Sequence, residues 1–319
     1  MNQKLFNDRL LEHFRPLAAG ARLPRSIRLV QGRTADELLI ELPARSMQQN
    51  MQADAAAFEA WALLAHVHCG VSVVLAVQPL PDQLPYTGHT GRFLYRAMKF
   101  SEQFAGWFSL SPALGDAVGA FREYLACHRF CNNVPTGPAG ENAHLENRLE
   151  ALFAGPHAQV LQAIGAKKGL YLDGPFFRQL PVGLFEETAS KQTGVFTGGK
   201  SAIDLWTTAG EDLVFFELKV DNAKVGILSE VMFYANYLAD MFVAHTFVPQ
   251  APPDDNKDHR GYARLFDRPL RRVRAVLLTD RLHPLLTATV LQEMDQGSPQ
   301  IRYHDLRYAL DLVPMEGGA

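Results

Sequence analysis

Asp204, Glu217 and Lys219 have types and spacing suited to chemistry. Side chains alternate across a β-strand with period two. In the segment LVFFELKV, residues 213–220, this alternation gives Val214, Phe216, Leu218 and Val220 one fully apolar face. Glu217 and Lys219 share the other face with Phe215. A carboxylate and an ammonium thus project side by side from a strand suited to burial. Charge is costly there unless it is paired or binds metal. Asp204 lies in the preceding segment AIDLW, and the turn at 208–212 predicts a hairpin that faces it toward Glu217 and Lys219. Two carboxylates meeting there make a hard-oxygen site for Mg²⁺ or Mn²⁺. A lysine beside them orients a water or helps deprotonate it, and the metal stabilises charge on a scissile phosphate. That is the chemistry of phosphodiester hydrolysis.

The surrounding pattern supplies elements to hold these residues. From residue 143 onward it predicts a helix over 143–153, a strand over 176–184, and strands over 202–207 and 213–220. A long helix follows over 227–243, then a strand over 273–279, a helix over 284–294 and a strand over 300–304. This order suits a mixed sheet flanked by helices, an α/β or α+β fold. The first part also mixes helices (4–14, 53–67, 93–108, 115–130) with strands (26–30, 37–42, 71–77). Between the halves, NNVPTGPAG at 132–140 breaks both regular structures. A boundary near 140 follows. Residues 1–140 form an N-terminal mixed α/β accessory domain for target recognition or oligomer contacts, and residues 141–319 the domain that carries the site.

Asp204 followed by Glu217-Leu218-Lys219, in this element order from 141 to 305, resembles the PD-(D/E)xK phosphodiesterase superfamily. That restriction-endonuclease-like group includes many restriction endonucleases, archaeal Holliday-junction resolvases and repair nucleases. The resemblance implies that Asp204 and Glu217 ligate Mg²⁺ or Mn²⁺ and that Lys219 positions or activates water. Members often carry a glutamate on the helix before the sheet. Glu146 and Glu150 stand one turn apart in LENRLEALF, and Glu146 is the favoured addition to the metal shell. One large branch carries Gln-x-x-x-Tyr on the helix after the lysine strand. Glu230 and Tyr234 hold that spacing, with Tyr237 one turn on, so glutamate replaces the glutamine. Ile203 stands where the motif's proline would be. The resemblance further implies DNA as substrate and a role in restriction, repair or phage defence. A homodimer, or a partner protein in such a complex, is the expected assembly.

Composition limits how nucleic acid is held. Thirty-four acids against thirty-one lysines and arginines leave a formal net charge of −3, so only a local basic patch can bind a polyanion. The arginine-rich stretch 260–274, with Arg264, Arg271 and Arg272, is one candidate, and Lys191, Lys200 and Lys224 are others near the site in sequence. GVFTGGKS, Gly194 to Ser201, fits the spacing of a phosphate-binding loop. Such a loop must open a helix, whereas the residues that follow read as a strand. Cys69, Cys127 and Cys131, with His66, His68 and His128, match no standard zinc spacing, and the cysteines read as core residues on helices. Three cysteines suit a reducing cytoplasm better than a disulfide framework. No uninterrupted apolar stretch is long enough to cross a bilayer. Two alternatives to the nuclease remain: the same fold as a binding or assembly module with a silent site, and a P-loop nucleotide-binding protein.

Overall fold

A computed structural model describes residues 3–196, 201–221, 224–252 and 259–309. In the first half, α1 (Gln3–Phe14) precedes β1 (Arg28–Gln31) and β2 (Glu37–Leu42). Next come α2 (Phe58–Cys69), β3 (Ser72–Val77) and α3 (Gly88–Gln103). The half ends with β4 (Phe108–Leu110), α4 (Pro112–Cys127) and β5 (Phe130–Asn132). Strands β1 to β4 lie in sequence order in a four-stranded sheet, antiparallel at β1–β2 and parallel thereafter. The second half contains α5 (Leu145–Ala154), α6 (Ala158–Ala166), β6 (Phe177–Val182) and β7 (Leu184–Glu186). It continues through β8 (Ser201–Ala209), β9 (Asp212–Lys219), α7 (Ile227–Phe242), β10 (Arg272–Thr279), α8 (Ala288–Gln296) and β11 (Ile301–Arg307).

The second half is built on a five-stranded mixed sheet in the order β11-β10-β9-β8-β6. Strand β9 runs parallel to β10 and antiparallel to β8, with which it forms the expected hairpin. Its run of buried residues reflects cover on both faces. On one face Leu205, Val214, Phe216 and Leu218 pack against Leu149 and Phe153 of α5 and Leu161 of α6. On the other, Trp206, Leu213, Phe215 and Leu277 join the core that contains α7.

Helix α7 has all sixteen residues buried. A helix buried around its whole circumference needs cover on every side. The sheet covers α7 on one side through β10, and α2 covers it on another. Its polar residues have partners across these contacts. Ser229 Oγ donates to Glu59 Oε2 at 2.8 Å, and Tyr95 and Lys99 of α3 donate to Asp240, each at 2.7 Å.

The mixed α+β class and the order of the main elements agree with the sequence reading, while several bounds differ. Helix α3 spans 88–103 rather than 93–108, because Phe108 belongs to the short strand β4 beside β3. Helix α4 spans 112–127 rather than 115–130. Pro112 opens it, where a missing N–H costs nothing, and residues 130–132 pair with β7. Helix α2 begins at Phe58 because Ala53–Ala57 turn tightly, and α8 begins after Thr287. Helix α6 and strands β4, β5 and β7 were not expected. Residues 133–144 carry no helix or strand, as their Pro and Gly content predicts. One hydrophobic core nevertheless runs across that stretch, from Phe6 and Leu38 to Leu213 and Tyr303.

Candidate active site

Strand β9 delivers Glu217 and Lys219 to the face of the sheet that α7 covers. In register they lie beside Leu277 and Thr279 of β10. Asp204 reaches them by a break in β8. Ile203 and Trp206 both enter the core on the α7 side although they are three residues apart. Strict alternation would put them on opposite faces. The β6–β8 ladder pairs Leu180 with Ile203 and Arg178 with Leu205, which leaves Gln179 and Asp204 between them. Gln179 has φ of 55°, the left-handed region. At this irregularity the Asp204 carboxylate turns toward β9, where its Oδ2 accepts the Leu218 amide at 2.8 Å.

Around Lys219 the charges are close. Its Nζ lies 2.5 Å from Glu217 Oε1 and 3.9 Å from Glu230 Oε2. Tyr234, one turn along α7, donates its hydroxyl to Glu230 Oε1 at 3.2 Å. Asp204, Glu217, Lys219, Glu230 and Tyr234 therefore form one cluster. Glu217 is 2% exposed and Glu230 7%. Glu217 Oε2 and Glu230 Oε2 are buried and receive no hydrogen bond among the described residues. Buried oxygens of this kind call for a proton or a cation.

The electrostatics follow from three carboxyls sharing one ammonium. Burial, then the Glu217 charge, raises the Asp204 pKa well above the ordinary carboxylate range, against Lys219 and the Leu218 amide. Burial, then Glu230, raises Glu217 similarly, with Lys219 opposing. Burial raises Glu230 as well. The Glu230 charge thus makes Glu217 harder to ionise, and both carboxyls are held above the ordinary carboxylate range. Burial also opposes the Lys219 charge, but Glu217, Glu230 and Asp204 outweigh it and hold the ammonium protonated far above neutrality. Lys219 is a hydrogen-bond donor and a positive charge here.

Helix α5 adds Glu150 and Glu146 in different ways. Buried Glu150 accepts a hydrogen bond from Gln179 at 3.1 Å and pairs with Arg178 at 3.5 Å. Its charge is among those that raise the Asp204 pKa. Glu146 accepts the Val220 amide at 3.4 Å, at the end of β9.

A residue the sequence reading missed comes from the first half. Arg92 of α3 is 4% exposed. Burial, then Arg96, lowers its pKa to about 10, while Tyr234 and Glu230 pull it back up. It donates to His89 Nδ1 at 2.8 Å. No motif in α3 marks it, since only the packing of α3 against α7 brings it to the cluster.

The expected nucleic-acid contacts are dispersed. Arg272 and Arg274 both pair with buried Asp212, Arg271 pairs with Glu211, and Arg264 pairs with Asp267. Arg272 lies beside Asp212, at the opposite end of β9 from Lys219. Seven strand steps separate those ends by about 23 Å. Lys200 lies outside the described residues, as do Gly198 and Gly199. Ser201 opens strand β8, so no helix follows the Gly194–Ser201 segment to direct its N-terminus at a phosphate. His66 stacks on Trp107 with ring centroids 4.1 Å apart, and Cys127 is exposed while Cys131 is buried.

The donor chemistry of Asp204 and Glu217 fits a hard divalent cation. As the side chains stand, no group of three or more His, Cys, Asp or Glu among the described residues is placed to hold a metal. Lys219 instead neutralises the carboxylates. No helix among the described residues is long and apolar enough to cross a membrane. No family model, curated protein or solved structure matches the chain.

Proposed function

We propose that this chain is a divalent-metal-dependent nuclease with a restriction-endonuclease-like second half, hydrolysing phosphodiester bonds of DNA. One observation carries the reading. The β8–β9 hairpin brings Asp204, Glu217 and Lys219 into one buried cluster, where Glu217 Oε2 and Glu230 Oε2 receive no hydrogen bond among the described residues. A buried surplus of carboxylate oxygens is unfavourable for folding and is retained where it binds a cation or moves protons. The resemblance of Asp204 and Glu217-Leu218-Lys219 to the PD-(D/E)xK pattern supplies the reaction class.

In this reading Asp204 and Glu217 hold Mg²⁺ or Mn²⁺, with Glu146 and Glu150 of α5 the candidates to complete the shell. A bound divalent cation supplies charge stabilisation to the attacked phosphate and activates water. Lys219 keeps its proton, donates a hydrogen bond to the attacking water or a phosphate oxygen, and balances developing negative charge. Glu230 positions Lys219 from α7, and Tyr234 positions Glu230. Arg92 adds positive charge whose influence reaches Glu230 and Tyr234. Cutting both strands of a duplex suits a homodimer or a partner subunit, in restriction, repair or phage defence.

The test is a panel of single-stranded, duplex and branched DNA with Mg²⁺ or Mn²⁺. Asp204→Asn and Lys219→Ala should each lower cleavage by about 10³-fold, the scale of losing a main electrostatic contact. EDTA should abolish cleavage. Cleavage that persists in both variants overturns the assignment. The ion pairs that close Lys219 onto Glu217 and Glu230 favour a second reading, a binding module that no longer cuts. DNA binding without cleavage under any metal would select it.

A further inference from the structure

A groove contributed mainly by the first half opens where Lys224 and His283 lie. Arg22, Arg25, Trp61, Lys224 and His283 line a cavity of about 450 Å³. An adjoining open groove of about 920 Å³ runs along α1, shares Arg22 and Arg25, and adds Lys4 and Arg15. Lys224 follows β9 by five residues, and His283 follows β10 by four. Both strands end at the register pair Lys219–Thr279. The groove thus lies past the end of the sheet that carries Lys219, not past the end where Arg271 and Arg272 sit.

Its chemistry is that of an anion site. Arg15, Arg22 and Arg25 are exposed and make no ion pair among the described residues. Only Asp54 and Asp8 contribute acid to the two linings, in a chain whose formal net charge is −3. Trp61 is 5% exposed, and its Nε1 is buried without a hydrogen-bond partner among the described residues. A buried donor with no acceptor is costly. The arginines and Lys224 that line the cavity beside Trp61 call for a ligand that brings acceptors and negative charge. The groove extends along a whole helix, longer than a single phosphate needs, so the fitting ligand is a chain of phosphates.

We propose that this groove, built from residues 4–25 with Trp61 and Lys224, binds the sugar-phosphate backbone of a DNA strand and leads it to the Lys219 end of the sheet. The inference rests on the nuclease reading for its role but not for the binding itself. The test is fluorescence anisotropy with a fluorescein-labelled 20-nucleotide DNA strand in EDTA, where cleavage is off, across a salt series. Arg22→Glu with Arg25→Glu should weaken binding at least tenfold. It should also flatten the log–log salt slope by about 1.4, two strand phosphates at about 0.7 each. Unchanged affinity and slope in the double variant overturn the proposal. So does absence of binding by the wild type at 50 mM salt, or a loss that follows Arg271→Glu with Arg272→Glu instead. If the double variant loses binding while the wild type cuts nothing with Mg²⁺ or Mn²⁺, the groove stands and the nuclease reading falls. If cleavage proceeds and the double variant binds normally, the reverse holds.

Discussion

Two buried carboxyls, Glu217 and Glu230, and half-buried Asp204 against one lysine make the cluster sensitive to protons, and the direction of that sensitivity is fixed. Asp204, Glu217 and Glu230 keep their protons at a higher pH in the folded chain than in the unfolded one, first because burial opposes their charge. Above the ordinary carboxylate pKa of about 4, the folded state therefore binds more protons than the unfolded state, and stability falls as pH rises. Glu217→Gln removes one of these groups and leaves Lys219 its contact with Glu230. Its melting temperature should exceed the wild type's at pH 8, and the gain should vanish below about pH 4, where both states are protonated. Cleavage should be lost in the same variant. A melting temperature that drops at pH 8 would show that Glu217 is structural ballast to Lys219 rather than an electrostatic burden. A cation that enters competes with protons for these carboxyls, so Mn²⁺ affinity should rise with pH and binding should release protons, measured by calorimetry in buffers of different ionisation enthalpy.

Among elements, α7 sets the depth of the site. Its first turn carries Glu230, and its start is fixed by Gly226, which approaches the first half so closely that an added Cβ would lie 2.4 Å from the Gln52 carbonyl oxygen. Backbone cannot yield as a flexible side chain can. Gly226→Ala should therefore lower stability by about 1–3 kcal/mol, the range for overpacking a tight core contact, in denaturant titrations. It should also move Glu230 away from Lys219 and reduce cleavage beyond what the stability loss explains. Equal cleavage at a temperature where the variant is fully folded would separate α7 placement from catalysis. Strand β8 is the second positioning element, because its irregularity beside Gln179 turns Asp204 into the sheet.

At the scale of the whole molecule, the halves share one core, and α7 is its common layer. Glu59 and Arg96 form a buried ion pair, and Ser229 of α7 donates to Glu59, so polar contacts also cross from one half to the other. A fragment of residues 141–319 would expose the side of α7 that α2 covers. Expressed alone, it should aggregate or unfold without a cooperative transition by circular dichroism, whereas the full chain should unfold cooperatively. A soluble, cooperative and metal-binding fragment would mean that the shared core is dispensable. The basic groove adds a second reason for coupling, since its arginines precede β1 while the cluster lies some two hundred residues later, as read from Arg22 and Lys219.

The sequence by itself determined the hairpin, the apolar back face of β9 and the partnership of Glu230 with Tyr234. These depend on local periodicity: two residues per repeat in a strand and about 3.6 in a helix. The mixed α+β class was legible for the same reason, from the order of long periodic segments. Helix ends near Gln103 and Cys127 were not, because the pull of β4 and β5 into their sheets competes with the helical pattern. Tertiary structure alone decided that the charges of Arg92 and Glu150 reach the cluster, that Glu146 accepts the Val220 amide, and that Arg271 and Arg272 lie at the far end of the sheet. Each of these depends on which surfaces of distant segments meet. That choice comes from burial summed over the whole core, which no local spacing records.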